Sequence, residues 1–552
     1  MKKTILLFLC VAIALAGMAQ GIYNSGANMV SQSGNYVVVN NGNFTLTSQN
    51  ADNPASFANL KIEAEASLTI EPQSYLTVSG TLTNSAGITG LVIQSNATGT
   101  GSLINSTAGV YAIAERWMSG DIWHLISPTA IGQTVSEFIG DTGNSIARNT
   151  TNYGLAPYRQ TDNEWEYFKV GNITGNLDTR AKGYQVLRAT GAGTGQGNAD
   201  YDGIVSFKGK LAANDTTIAI TRTSFGWNLI GNPYPCAMNV QEFLNVNSGS
   251  IDQIDPSFLA IYVADIVNPA NVNGYTPVNF LDNLLLASGE GFFVKSVAGG
   301  GNINFTTTMK SHPSDDFKSA VIQNGFNLVA ESAGIKMSTS VKYIPQMTAG
   351  LDPGWDAGLF TNGDETSFNL FTALVEDNGV DFTIQCLPDY DYENLVVPVG
   401  IKAKQGATIE FSLADVTVPF GYKVFLEDRV NRKFTRLDEQ GSVYSVKLNT
   451  TSAGTGQFFL HTKQEITGIK DAHTKPVLVI PVPQQHLIRV SGLVNLPAQA
   501  TVYDVNGRTI TIKTLTSVNE NEIQLNGVSN GIYLLKIKSG TGTTQHKISW
   551  TL

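Results

Sequence analysis

Charge is scarce in this sequence. Of its 552 residues, 14% are Asp, Glu, Lys or Arg, against about 25% in an average globular chain. That depletion excludes a long solvated acidic or basic tail. Cysteine is nearly absent, with three residues, and histidine is rare, with six. No disulfide framework of the kind that holds small exported domains is available, and no two histidines lie close enough for a local zinc motif. The net charge of −10 argues against a nucleic-acid partner, which needs a basic face. No apolar run reaches the ~20 residues of a membrane-spanning helix. Glycine, at 54 residues, is too sparse and aperiodic for collagen. No G-x-x-x-x-G-K-[ST] loop, H-E-x-x-H pair or G-x-S-x-G elbow occurs, which removes the commonest nucleotide, zinc-protease and serine-hydrolase signatures. What is present is 42% hydrophobic, enough for packed cores. The length predicts three to five domains at roughly 100–200 residues each.

The chain opens with Met1-Lys2-Lys3 and an apolar run from Thr4 to Gly17. A basic start, a short apolar core and the small-x-small site Gly17-Met18-Ala19 read as a secretory signal peptide over residues 1–19. Cleavage falls between Ala19 and Gln20. Cys10 leaves with the signal, and Cys236 and Cys386, 150 positions apart, read as two buried thiols.

The expected fold class is all-β. Over residues 20–115, Leu60, Leu68 and Leu76 recur every eight residues, as do Ile62, Ile70 and Val78. Each run alternates apolar and polar positions, as a half-buried strand does. Short equal strands with Gly, Asn or Ser turns suggest a β-solenoid-like repeat region; a meander of hairpins is the alternative. The next stretch looks duplicated. Trp123-His124-Leu125-Ile126 returns as Trp227-Asn228-Leu229-Ile230 at a lag of 104. Glu137-Phe138 returns as Glu242-Phe243, and Gly183-Tyr184 as Gly291-Phe292, at lags of 105 and 108. Two β-sandwich-like repeats, 116–220 and 221–312, are expected, each with one short helix. Ser311 to Asp316 reads as a linker. Residues 320–462 read as a third β-sandwich, and 463–475 as a second linker. The last segment, 476–552, reads as a small Ig-like β-sandwich. From Gly468 onward, eight basic residues face four acidic ones. A change of charge sign at a linker marks an independent unit.

That final segment carries an ordered motif: Tyr503-Asp504-Val505-Asn506-Gly507-Arg508, then Leu525, then Gly531-Ile532-Tyr533-Leu534-Leu535-Lys536-Ile537, and Lys547-Ile548. It resembles the type A C-terminal sorting domain of the type IX secretion system. The resemblance covers about 80 residues, and it implies export across the outer membrane of a Gram-negative bacterium. It also implies that the partner is the type IX secretion machinery, that the tail is cleaved, and that cargo is often linked to surface lipopolysaccharide. One departure stands out: Pro481-Val482-Pro483 occupies the place of the usual Pro-Asn-Pro. The runs Gly226-Trp227-Asn228-Leu229-Ile230-Gly231-Asn232-Pro233, Gly289-Glu290-Gly291-Phe292-Phe293-Val294, Trp355-Asp356-Ala357 and Leu426-Glu427-Asp428 resemble large adhesin-like surface proteins secreted by the same route. From the residues alone, Asn506-Gly507 predicts a two-residue type I′ hairpin turn.

Candidates for chemistry are few. Asn198, Asp200 and Asp202, followed by Gly203, match the start of a calcium loop. The twelfth position holds Gly209 instead of the bidentate Glu. A plain β-turn is the competing reading, and no other cofactor is implied. Asp352 with Asp356, or Asp364 with Glu365, are carboxylate pairs of the type that glycoside hydrolysis uses. Asp352-Pro353-Gly354 also reads as a turn. Tyr158, Trp165, Tyr167 and Trp355 are the aromatics available to stack on sugars, and His124 reads as a half-buried structural residue. The leading expectation is a secreted, surface-displayed, non-enzymatic protein acting in adhesion or extracellular matrix/ligand binding, its extracellular protein or glycan ligand left open. A glycan-binding module auxiliary to polysaccharide use and a sandwich hydrolase are the alternatives.

Overall fold

The computed structural model describes residues 20–23, 28–29, 33–34, 36–47, 54–118, 122–189, 203–248, 253–264, 274–313, 323–361, 368–464, 477–493, 496–517, 521–540 and 542–550. They form an all-β protein with two short α-helices. The chain divides into two compact units, residues 1–465 and 466–552.

The first unit begins with three parallel ladders. One joins Gln20–Tyr23, Tyr36–Val39, Leu60–Ile62 and Leu82–Asn84. The second runs through Asn28–Met29, Gly42–Leu46, Ala66–Ile70 and Leu91–Ile93. The third joins Ser33–Gly34, Ala55–Phe57, Tyr75–Val78 and Ser102–Asn105. Chain order visits the three ladders in rotation, so the backbone winds, and each strand lies over the one a full winding earlier. Hairpins would give antiparallel partners instead. The eight-residue recurrence is one side of a three-sided winding. Leu60, Leu68 and Leu76 sit on three different ladders, and Leu68 stacks on Phe44, 24 residues earlier. All three leucines point inward and are buried.

The winding ends at the strand Tyr111–Met118, which pairs in parallel with Leu91–Ile93 and antiparallel with Gly203–Leu211. A strand from the repeat region therefore extends the wound sheet. Further along, Leu103 N donates to Pro235 O at 2.8 Å. The expected linker at Ser311 to Asp316 is built in at its start. Ser311 pairs with Ala237, and the His312 ring hydrogen-bonds Thr77 Oγ1 at 2.9 Å and Ser102 Oγ at 2.8 Å.

The two repeats carry four-stranded sheets of the same order. The first reads His124–Ile126, Tyr184–Val186, Leu155–Arg159, Glu164–Trp165. The second reads Trp227–Gly231, Gly291–Lys295, Ile261–Ala264, Tyr275–Val278. Each repeat has one short helix with a polar N-cap. Thr134 Oγ1 accepts from Glu137 N while Glu137 Oε2 accepts from Thr134 N, a capping box. In the second, Asn239 Oδ1 accepts from Glu242 N. The repeats join reciprocally. Gly183 N donates to Leu229 O, while Gly231 N donates back to Ala181 O, and Ser127 N donates to Gly289 O. Gly183 and Gly231 leave no room for a side chain at this crossing: a Cβ would lie 2.5 Å from Leu229 Cγ or from Ser127 Cβ.

The third region is one sheet of eleven strands whose two halves pack face to face. Phe411 from one half meets Phe458 from the other at 4.8 Å between ring centres. Tyr343 Oη donates to Thr462 Oγ1 across the same core.

The second unit is a small sandwich. Leu478–Val482, Leu487–Ser491 and Asn521–Gln524 form one sheet, and Thr509–Leu515, Ala498–Tyr503, Gly531–Ser539 and Gly542–Trp550 the other. Val502, Leu535, Ile548 and Trp550 fill the core between them.

Candidate functional site

The sorting motif falls into two groups by what its side chains do. Asp504 organises the hairpin between Ala498–Tyr503 and Thr509–Leu515. Its Oδ1 accepts from Arg508 N at 2.9 Å and from Asn506 N at 3.0 Å, and Arg508 Nε lies 3.2 Å from Oδ2. The N–H of Arg508, the N–H of Asn506 and the guanidinium hold this carboxyl below its ordinary range. The turn differs from the type I′ expectation. Gly507 has φ 80°, Asn506 is not left-handed, and Gly507 N donates to Asp504 O while Asp504 N donates to Arg508 O. This is a three-residue loop with a glycine bulge, the next commonest hairpin connection. Tyr533 is a core residue whose hydroxyl donates to Ser529 O at 2.8 Å. Gly531 opens its strand opposite Trp550, and a Cβ there would touch nothing within 4 Å. Tyr503 and Lys547 belong to the second group. Tyr503 pairs with Leu534, and Leu534 with Lys547, so three residues far apart in sequence form one row.

In the first unit, the expected carboxylate pair is spent on a turn. Thr348 N donates to Asp352, Asp352 N donates to Asp356 Oδ2, and Cys386 N donates to Asp356 Oδ1, each at 2.7 Å. Burial pushes the Asp356 carboxyl up to about 7, against the pull of those two N–H groups. Gly354 has φ 82° and a Cβ there would run into the Phe280 ring, and Trp355 O accepts from the Cys386 thiol. Asp364 and Glu365 lie outside the described residues, as do Ala19 and the calcium-loop candidates Asn198, Asp200 and Asp202. Gln20 begins the first described strand. Among the described residues, no three His, Cys, Asp or Glu side chains gather as a metal site would need. No described helix is long and apolar enough to cross a membrane.

The aromatics sort by repeat. Trp227 is fully buried, and its indole Nε1 donates to Thr361 O at 3.0 Å. Phe360 lies 4.2 Å from it, and Tyr262 Oη donates to Gly358 O. The segment 357–361 of the third region therefore seals the second repeat. The equivalent Trp123 is 39% exposed, and its neighbour is Tyr167 of its own repeat at 5.8 Å. Tyr158 and Trp165 pack edge-on against Phe293 rather than forming a flat stacking platform.

Two clefts remain. One of about 330 Å³ lies between the turn 95–101, Arg116, His124 and Cys236. Arg116 is paired with Glu290 at 3.3 Å. Cys236 and Cys386 are free and buried, and desolvation pushes the Cys236 thiol up to about 12, so it stays protonated at neutral pH. The other cleft, about 580 Å³, is lined by Thr217, Asn247, Ser248, Gln253, Asn302 and Asn304, with Val246. It carries amides and hydroxyls and no charge. Sequence reasoning missed it because its residues come from four separate stretches.

Comparison with known proteins assigns both units. Residues 23–455 match the family described as Domain of unknown function (DUF8693). The chain belongs to this family. Residues 478–550 match the Secretion system C-terminal sorting domain, so the chain is a type IX cargo secreted to the cell surface. The Minor fimbrium subunit Mfa5 of Porphyromonas gingivalis is 24% identical over 518 residues, covering 83% of this chain. The chain spans 38% of that relative's length. A solved biofilm-associated protein BSP domain aligns over 80% of this chain and 92% of its own, at 9% identity and a TM-score of 0.18.

Proposed function

We propose that this chain is a non-enzymatic surface protein that acts by binding, in adhesion or in the extracellular matrix. The observation that carries the proposal is the alignment of 83% of the chain with a fimbrium subunit. The engagement of Asp352 and Asp356 by backbone N–H groups and the burial of both thiols support it. In this reading, the signal peptide is cleaved between Ala19 and Gln20. The tail engages the secretion machinery and is then removed, and the body is held outside, with linkage to surface lipopolysaccharide as its anchor. Cell fractionation with mass spectrometry of the mature ends tests the route. The expected product is a surface or medium form that starts at Gln20 and lacks the tail; a periplasmic form retaining Leu552 would sink it. Attachment of a deletion strain to matrix-coated and bare surfaces tests the role, and undiminished attachment would count against adhesion.

The uncharged cleft around Asn302 and Asn304 favours a second reading, recognition of a glycan. Amides and hydroxyls complement sugar hydroxyls without the desolvation that a charge demands. Glycan-array binding that disappears in Asn302→Ala would support it; an empty array would remove it.

A further inference from the structure

The outer face of the tail's four-stranded sheet is unlike an ordinary solvent face. Cross-strand register places Gln499, Thr501 and Tyr503, Ile512 and Thr514, Ile532, Leu534, Lys536 and Lys538, and Thr543, Gln545 and Lys547 on one side. Their alternating neighbours Ala500, Val502, Leu535, Ile537 and Ile548 fill the core. Ile512, Ile532 and Leu534 are 57%, 46% and 38% exposed. Tyr503 continues this apolar band through its pairing with Leu534. Three lysines border the band, and no carboxylate occupies any of these outward positions. A soluble sheet face that had only to face water would carry polar residues of both signs. Apolar side chains bordered by one sign of charge mark a contact surface.

We propose that this face, apolar along Tyr503, Ile512, Ile532 and Leu534 and bordered by Lys536, Lys538 and Lys547, docks on an acidic, apolar-centred protein surface of the secretion machinery. The inference rests on the reading of the tail as an export signal and names the part of it that is touched. It separates the motif into residues that fold the tail (Asp504, Asn506, Gly507, Tyr533) and residues that meet the receptor (Tyr503, Lys547). The charge choice follows from the lysines: an acidic partner is attracted and a basic one repelled, while the apolar band supplies the contact area.

The test uses the full chain in its producing bacterium. Two variants alter the face without touching the core: Lys536→Glu with Lys547→Glu, and Leu534→Ser with Ile512→Thr. A third chain lacks residues 466–552. Thermal melts of the purified full-length variants check that the tail still folds. The expected result is at least a ten-fold fall in surface protein for both face variants, with periplasmic accumulation, unchanged melting and rescue by Lys547→Arg with Lys536→Arg. Normal surface levels in both face variants, with the deletion blocked, would overturn this inference alone. Normal export of the deletion chain would overturn the sorting reading itself. Wild-type binding to phosphatidylglycerol vesicles, lost in the lysine variant while surface levels hold, would assign the face to lipid and overturn the protein partner. Should either face variant melt early, the other decides.

Discussion

An alanine methyl at Gly231 would lie 2.5 Å from both Ser127 Cβ and Glu290 O, where the two repeats cross. Both obstacles belong to paired backbone segments that have nowhere to move. Gly231→Ala is expected to cost about 1–3 kcal/mol through overpacking, read as a lower melting temperature of the first unit, while Gly441→Ala in an open turn pays only for its positive φ. His312 is a half-buried residue of a different kind. Both ring nitrogens meet hydroxyls, and burial pushes the ring down from 6.5 to about 4. The unfolded chain therefore takes up this proton at higher pH than the folded one. Stability falls as pH drops from about 6.5 to about 4 and levels below that. His312→Gln removes this contribution. The melting-temperature gap between wild type and variant is expected to shrink or reverse between pH 7 and pH 4.5; a constant gap would contradict the assignment.

Among elements, the loop after Tyr422–Asp428 shows how the third region is locked. Asp428 is fully buried, and it accepts from Asn431 N and Nδ2, Tyr444 Oη and Gln457 Nε2. Burial pushes its carboxyl up, but these donors outweigh burial and hold it below the ordinary range. The stability it lends is present above the unfolded carboxyl range and is lost as pH falls through the folded value. Tyr444→Phe is expected to cost about 1 kcal/mol, and Asp428→Ala about 3 kcal/mol because Tyr444, Asn431 and Gln457 all lose their shared acceptor. A double-mutant cycle by denaturant unfolding checks that the two effects do not add.

Strands such as Leu60–Ile62 and Ala66–Ile70 were legible because apolar and polar positions alternate in them, and one short helix per repeat was legible where Glu137-Phe138 returns as Glu242-Phe243. Pairing was not legible. Nothing local tells Leu68 to lie over Phe44 instead of folding back on Leu60, since both arrangements bury the same face. Gly203–Leu211 gives no sign in its own residues that it joins the wound sheet. The carboxylates at Asp352 and Asp356 show why spacing misleads about chemistry: an Asp in a turn bonds backbone N–H groups that no sequence pattern displays. The sorting motif was readable as a pattern, while its division into folding and outward residues needed the register of four strands.

The whole molecule is two separately cored units, and their unfolding is expected to be separate. Calorimetry of the full chain should show a transition that disappears when residues 466–552 are removed, with the remainder unchanged; a single shared transition would mean that the units are energetically coupled. Within the first unit, the windings are held at one end by Tyr111–Met118, Pro235 and His312. At the other end, among the described residues, Gln20–Tyr23, Asn28–Met29 and Ser33–Gly34 form the outermost strand on each of the three ladders. Each winding adds one strand spacing, about 4.8 Å, to the stack. Inserting or deleting a whole winding between them would change the length of the wound stack while leaving the contacts at the held end intact. The length of the wound segment is thus quantised: it can change only in steps of one whole winding if the three ladders are to stay in register.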